Sequence, residues 1–441
     1  MPQLLGANPA GAPAGGPRGG HTTGRGTEGR GTEKPLPWLN RRLVTYTAAI
    51  AISKLGNQLY NFALPWLVLQ STGSPLAAGL MWAVQTLSYL GTPLIGWVVD
   101  RFNRKHVYVF CELLQAALVA TVPFIALGEH PALWALYPVS FILGLCGATS
   151  GLIGDFKVMP SLVDKRFLSQ ANATYAFSVN IARVSGPAAA GLIIATAGIH
   201  WAFFLDALSF LGSAIVVGRL ALGQQAQSRT GQGFMSGFGF LSRHRALWRL
   251  ALGLGVYNLG VGAIPVTLLY VLKSERGMGA GVVGLILSLG SAGAVIGSLL
   301  GGVIPVRNLM RAVSRANFVG AAMTATTLLG PLAAAGCGYA GLLVCESAVN
   351  VWTFTLRQRL IPDELLGRVN AAFRMVVMGA APLSATLMGA VADSPAGGRG
   401  ALGLGAALVF AAAVIIATGG TAKQRAELMP ADSRAVDSRS G

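Results

Sequence analysis

Acidic side chains are scarce in this sequence. Of 441 residues 16 are Asp or Glu, against 33 Lys and Arg; charged residues make up 11% of the chain and hydrophobic ones 53%. With a mean hydropathy of +0.59, the chain has too few polar groups to face water on all sides, which excludes a soluble globular protein. Cysteine is nearly absent. The four present, Cys111, Cys146, Cys337 and Cys345, fall in apolar runs without C-x-x-C spacing, so neither a disulfide framework nor a zinc site is implied. The five histidines, at 21, 106, 130, 200 and 244, are scattered. There is no H-E-x-x-H, no G-x-S-x-G elbow and no G-x-x-x-x-G-K-[ST] loop, which argues against a metalloprotease, a serine hydrolase and an ATP-driven pump. No enzyme, metal or cofactor is therefore expected. The net charge of +17 does not mark a nucleic-acid binder, because the basic residues cluster between apolar runs and build no basic domain.

What the chain does have is long uncharged runs. Residues 1–42, rich in Gly, Pro, Thr and Arg, read as a disordered tail, and no short apolar leader precedes the first run, so the N-terminus is expected to be kept. Twelve spans follow, near 43–69, 79–99, 106–128, 131–156, 169–198, 201–220, 249–272, 281–304, 311–331, 334–356, 368–392 and 399–420. Each is long enough for a helix to cross about 30 Å of hydrocarbon. The runs neither alternate nor shorten as barrel strands would, so the expected fold is an all-α polytopic membrane protein. Placing both termini in the cytoplasm puts 27 of the 33 Lys and Arg on that side, leaving Lys273, Arg276 and Arg399 opposite and Lys54, Arg183 and Arg374 within spans. Such a surface would also attract anionic lipids. The longest connection, 221–248, separates six spans (43–220) from six (249–420), ends in a basic amphipathic stretch, and leaves 421–441 as a C-terminal tail. Weak internal similarity agrees with a duplication: "SQANATYAF" at 169–177 resembles "GRVNAAFRM" at 367–375.

Charge is concentrated in "GWVVDRFNRK" at 96–105. Arg101, Arg104 and Lys105 follow a helix C-terminus, where cations complement the dipole; Asp100 there is unfavourable unless it finds another partner. Gly96, Asp100, Arg101, Arg104 and Lys105 match the loop motif G-x-x-x-D-R-x-G-R-K, with Asn103 replacing the second Gly as a residue that tolerates a left-handed turn. "KLGNQLYNFALPWLVLQSTGSP", "MPSLVDKRFLSQAN", "RVSGPAAAGLI" and "RQRLIPDELLGRVNAAF" follow in order. Together these segments resemble the major facilitator superfamily over about 40–420, and within it the exporters related to macrolide efflux and enterobactin exporter proteins. The resemblance implies two pseudo-symmetric six-helix bundles, alternating access and proton antiport of a drug, siderophore or other small molecule. It also implies an Asp100 latch onto the start of the eleventh span, which here carries Gly367, Arg368 and Arg374. Gly186, Pro187 and Gly191 resemble the antiporter motif G-P-x-x-G-G, with Ala190 replacing one Gly, and would let the fifth span bend. Gly293, Gly297 and Gly301, every fourth residue of one span, read as plain helix packing.

Ionisable residues deep in hydrocarbon are read first as functional. Lys54, Arg183 and Glu346 lie near mid-depth, and they are expected either to line a central cavity, with Glu346 as the proton-titrating group, or to form a structural ion pair. Two cations against one acid favour an anionic cargo. Asn57 stands where relatives often carry Asp and cannot release a proton. Asp155, Lys157, Glu112 and Arg374 lie nearer the cytoplasmic face and are expected in the gate around Asp100, while Asp206 is expected to pair locally near the outside. The expected protein is a monomeric secondary exporter in the plasma membrane. An importer of the same fold and a transport-inactive receptor or scaffold are the alternatives.

Overall fold

The computed structural model describes residues 41–91, 95, 98–99, 101–126, 132–154, 158, 162–163, 167–220, 235–306, 308–329 and 331–418. Gly96, Asp100, Asp155 and Lys157 lie outside the described residues. All regular structure among the described residues is helical, as a bilayer requires of a chain whose amides and carbonyls find no water to bond. The helices are α1 (Arg41–Thr72), α2 (Pro75–Leu87), α3 (Arg104–Ile125), α4 (Leu136–Ile153), α5 (Leu168–Thr196), α6 (Ile199–Arg219), α7 (Met235–Arg243) and α8 (Arg245–Val261). They continue with α9 (Ile264–Tyr270), α10 (Ala280–Val303), α11 (Leu309–Thr326), α12 (Leu332–Leu360), α13 (Asp363–Met378), α14 (Ala380–Asp393) and α15 (Gly397–Thr418). Nine described helical segments are long and apolar enough to cross a membrane.

The sequence explains where the helices begin and break. Gly73, at φ +67°, turns the chain between α1 and α2, and the Ser74 hydroxyl caps α2 by accepting from the Ala77 amide at 3.2 Å. Asn103 caps α3 by accepting from Lys105 N at 3.0 Å. Its φ is −64° with extended ψ, so the residue is kept for its capping side chain and not for a left-handed turn, correcting the sequence expectation. Two expected spans are interrupted: the seventh breaks between α8 and α9 just before Pro265 and ends in a π-helical turn (Val271–Glu275), and the eleventh breaks at Gly379. The basic stretch of the long connection forms α7. It packs on α13, Gly237 fitting against the Arg368 backbone, with Leu241 fully buried and Phe238 edge-on to Trp248 at 5.8 Å.

Among the helices before residue 221, α1 packs on α5 and α6, α3 on α4 and α6, and α2 on α4. After residue 235, α10 and α11 pack on α12, and α15 packs on α8, α11 and α14. The glycine ridge of α10 supplies one of these contacts: side chains at Gly293 and Gly297 would overlap the carbonyls of Ala340 and Val344 on α12, and Gly301 faces Ala348. The packing role expected for that ridge is the role it has.

The two sets meet along two seams, α2 with α14 and α5 with α10. Along the first, Gly79 presses on the Ala385 carbonyl and Gly389 on Leu76. Along the second, Gly191 meets the Ala280 carbonyl and Gly284 the Pro187 carbonyl, while the amide of Ala188, next to Pro187, donates to Ser288 Oγ at 2.9 Å. The small residues of "SGPAAAG" thus serve a close approach between the sets. All these contacts lie toward the end where α1 ends and α2 begins, opposite the end that carries Arg41, Arg104, Arg219, Arg245, Arg311 and Arg359. At the closed, less basic end Ser74 Oγ donates to Asp393 Oδ2 at 3.4 Å. Lys273 Nζ donates to the Trp66 carbonyl at 2.8 Å and lies 4.4 Å over the Trp66 ring.

Gly297→Leu has no room and is expected to destabilise the fold by about 1–3 kcal/mol, read as a lower melting midpoint in detergent; Gly302→Leu, whose Cβ meets nothing within 4 Å, leaves the midpoint unchanged. In a chain freed of its native cysteines and carrying a protease site within 221–234, Ser74→Cys with Asp393→Cys is expected to cross-link on oxidation, so that the cleaved halves migrate as one band until reduced.

Candidate substrate cavity

On α1, Lys54, Asn57, Gln58 and Asn61 recur at helical spacing and share a face. The opposite face buries Ser53, Gly56, Leu59, Tyr60 and Ala63. The polar face lines two adjoining cavities between the helix sets, of about 430 Å³ and about 410 Å³. Both include Gln58, Asn61, Trp82, Thr86 and Arg183 in their walls. The first adds Lys54, Asn57, Gln85 and Arg374 and extends toward the basic end. The second adds Asn258, Tyr339 and Glu346 and ends below the closed end at Phe62, Pro65 and Leu269. A polar chamber at mid-depth, shared between two packed sets of helices, is where a transporter holds its substrate.

The amides of the wall are linked. Asn61 Nδ2 donates to Gln58 Oε1 at 3.4 Å, and Gln85 Nε2 donates to Asn61 Oδ1 at 3.4 Å. Gln58 owes its place to Gly186, because any side chain at 186 would overlap the Gln58 side chain. Asn57 Nδ2 donates back to the Ser53 carbonyl at 3.1 Å, which leaves its oxygen toward the cavity. Trp82 closes the chamber by donating from Nε1 to the Gly262 carbonyl at 3.1 Å, a group freed by the break between α8 and α9.

The structure brings Lys54, Asn57, Arg183 and Glu346 to this chamber, and among the described residues no ion pair within 4.0 Å joins Arg183 to Glu346. Arg183 is nevertheless the cation whose charge acts on Glu346, across the space a substrate would occupy. Arg374, expected in the gate, stands in the wall of the first cavity. Its position follows from Arg357, which stacks 4.3 Å from the Phe373 ring, donates to Asn370 Oδ1 at 2.8 Å, and so ties α12 to α13. Glu112, also expected in the gate, is buried where α3 packs on α4 and α6, away from either seam. Asp206 meets the local partner expected, Ser209, and is fully buried.

At the basic end, Lys105 Nζ donates to the Leu220 carbonyl at 2.9 Å, satisfying the C-terminus of α6. Arg101, Arg104 and Arg368 have partners of their own there, and Gly367 is exposed with nothing near its Cα face. Sequence reasoning missed Gln58, Asn61, Trp82, Gln85 and Arg357. The amides carried a usable signal, polar residues three and four apart within an apolar run; Trp82 and Arg357 carried none.

Comparison with known proteins agrees with this architecture. The chain is 27% identical over 389 residues to the multidrug efflux pump Tap of Mycobacterium tuberculosis, covering 84% of this chain and 90% of that protein. It is 28% identical over 392 residues to the enterobactin exporter EntS of Escherichia coli, covering 84% and 91%. Among solved structures, a bacterial homologue of the iron transporter ferroportin in an inward-facing state superposes with a TM-score of 0.71 at 20% identity, over 86% of this chain and 99% of that one. The nucleoside transporter NupG superposes with a TM-score of 0.67 at 12% identity, over 86% and 99%. The model of the Major Facilitator Superfamily matches residues 46–385. The chain therefore belongs to the Major Facilitator Superfamily, a multi-pass membrane transporter of a small molecule and not an enzyme.

Proposed function

We propose that this transporter exports a small organic molecule, a drug, siderophore or secondary metabolite, from the cytoplasm by proton-coupled alternating access. The observation that carries this reading is the chamber: it lies between two packed sets of helices, is closed at the less basic end, and holds Lys54, Arg183 and Glu346 in its walls. In this reading the basic end faces the cytoplasm of a plasma-membrane protein with both termini inside, and its cations meet anionic lipids. The twelve spans then form two bundles, 43–220 and 249–420, of a monomer that pivots about the chamber. Relatives that export a siderophore or pump drugs support the direction.

Glu346, the carboxylate of the chamber wall, is assigned to proton exchange, and Lys54, Asn57 and Arg183 to cargo. Asp100 is assigned to a latch that closes the basic end by meeting Gly367 and Arg368 when the other end opens, with Arg101, Arg104, Lys105 and Asp155 around it. Gly186, Pro187 and Gly191 supply the bend of α5 on which the closure turns.

In proteoliposomes with an imposed pH gradient, tested with a panel of drugs and siderophores, the wild type is expected to move at least one compound faster with the gradient than without. Glu346→Gln is expected to lower the gradient-driven rate about tenfold or more, equivalent to about 1.4 kcal/mol, with folding unchanged. Asp100→Asn is expected to lower flux as well. Uptake opposite to the assigned direction would make the protein an importer; absence of flux for every compound, in wild type and variants alike, would favour a receptor or scaffold.

A further inference from the structure

The cavity uses one side of α1; the other side meets a second polar cluster. At Gly56 any side chain would overlap Ser209 Oγ and the Asp206 carboxylate of α6. Asp206, Ser209 and Ser213 follow one another down α6, all buried, and α3 faces them with Tyr108, Glu112 and Gln115, also buried. The Tyr108 and Ser213 hydroxyls are 2.8 Å apart, and Gln115 Nε2 donates to Glu112 Oε1 at 3.5 Å. Glu112 is 2% exposed and Asp206 0%; Glu112 Oε2 and Asp206 Oδ2 make no well-formed hydrogen bond, although the Ser213 and Ser150 hydroxyls stand beside Glu112. A carboxylate left so, inside a bundle in hydrocarbon, is stable only if it holds a proton or has a cation within reach.

Glu112 has both options. Lys54 is the cation that acts on it, and Lys54 also stands in the wall of the first cavity. Gln115 Oε1 lies 3.4 Å from where a Cβ on Gly147 would be, and Gly147 lines the same cavity, so Gln115, the hydrogen-bond partner of Glu112, packs directly behind the cavity wall. The titratable and charged groups facing Glu112 among the described residues are Lys54 from α1, Cys146 from α4, Asp206 from α6, and Tyr108 and Cys111 on α3 itself.

We propose that Glu112 is a proton-binding site behind the cavity wall, and that Lys54 conveys its charge state to the cavity. The proposal deepens the proton-coupled reading above and rests on it for its place in transport. A proton passes from cavity water to Glu112 Oε2 and returns the same way. With Glu112 protonated, the Lys54 charge is uncompensated and bears on the cavity; with Glu112 ionised, the two offset each other. The cavity thus gains one positive charge for each proton bound. A cationic cargo is displaced by the proton, as exchange against an inward gradient requires, whereas an anionic ligand binds more tightly with it.

The test uses the full chain in lipid nanodiscs, between about pH 5 and about pH 9, a range that brackets shifted carboxyls. Infrared difference spectra are expected to show protonated-carboxyl intensity that is lost on raising the pH, one component of which is missing in Glu112→Gln and retained in Glu346→Gln. Measured by Trp fluorescence quenching, binding of 1-anilinonaphthalene-8-sulfonate is expected to tighten several-fold from high to low pH and binding of tetraphenylphosphonium to weaken. Both trends are weakened in Glu112→Gln and in Lys54→Met. Should Glu112→Gln not assemble, Lys54→Met, which keeps the carboxyl, must shift the pH at which that component is lost. A band unaffected in both variants, or probe binding with wild-type pH dependence in Glu112→Gln, overturns the proposal. Gradient-driven flux that survives in Glu112→Gln refutes this site alone; a wild type that ignores the gradient while the band and probe trends stand refutes the coupled-transport reading and leaves the proton site.

Discussion

Hydrocarbon offers a polar group nothing to bond with, and nearly every feature of this protein follows from that. Backbone amides and carbonyls must be satisfied inside each span, so all regular structure among the described residues is helical. Where a helix breaks, something collects the freed groups. Gly262, at the break between α8 and α9, accepts from the Trp82 indole, and the amide beside Pro187 is held by Ser288. Side chains obey the same rule, since an amide or a charge in mid-membrane has to face a partner or a water-filled space. The chamber lined by Gln58, Asn61, Lys54, Arg183 and Glu346 is the space that makes those residues tolerable.

Small residues decide how the sets of helices approach. Gly79, Gly191, Gly284 and Gly389 let backbones touch across the seams at the closed end, while Gly293 and Gly297 do the same between α10 and α12 within one set. The seams carry few side-chain anchors, chiefly Ser74 with Asp393 and Lys273 with Trp66. Flat backbone contact held by a few polar links can separate and re-form without exposing large unsatisfied groups, which suits the rocking proposed above. The packing within each set, built on interlocked side chains such as Tyr46, Tyr108 and Phe203 or Leu247 and Leu250, suits bodies that move whole.

α1 links the chemistry of the protein. One face supplies the chamber with Lys54, Asn57, Gln58 and Asn61, and the other is pressed at Gly56 against the buried acid of α6. A helix with a polar cavity on one side and a polar cluster on the other can report the state of one to the other by the charge it carries, and Lys54 is that charge. Asn57, which cannot exchange a proton, shares the chamber wall with it.

Much of the architecture was legible from a one-dimensional rule: runs of about 20 apolar residues span, and basic residues mark one side. That rule located the helices and the mid-depth charges Lys54, Arg183 and Glu346, which line the chamber, whereas the loop motif around Arg101, Arg104 and Lys105 came from resemblance. It could not separate Arg374, which reaches the chamber, from Glu112, which turns into the first set of helices, because depth along a span says nothing about which way a side chain points. Nor could it tell that Asn103 caps a helix, that Gly186 makes room for Gln58, or that Glu112 and Asp206 share one buried cluster. The sequence by itself determined which segments enter the membrane and which charges enter with them, since partition into hydrocarbon depends on composition alone. Tertiary structure decided which of those charges meet water, which meet each other and which stay alone, since that depends on the rotation of each helix against neighbours distant in the chain.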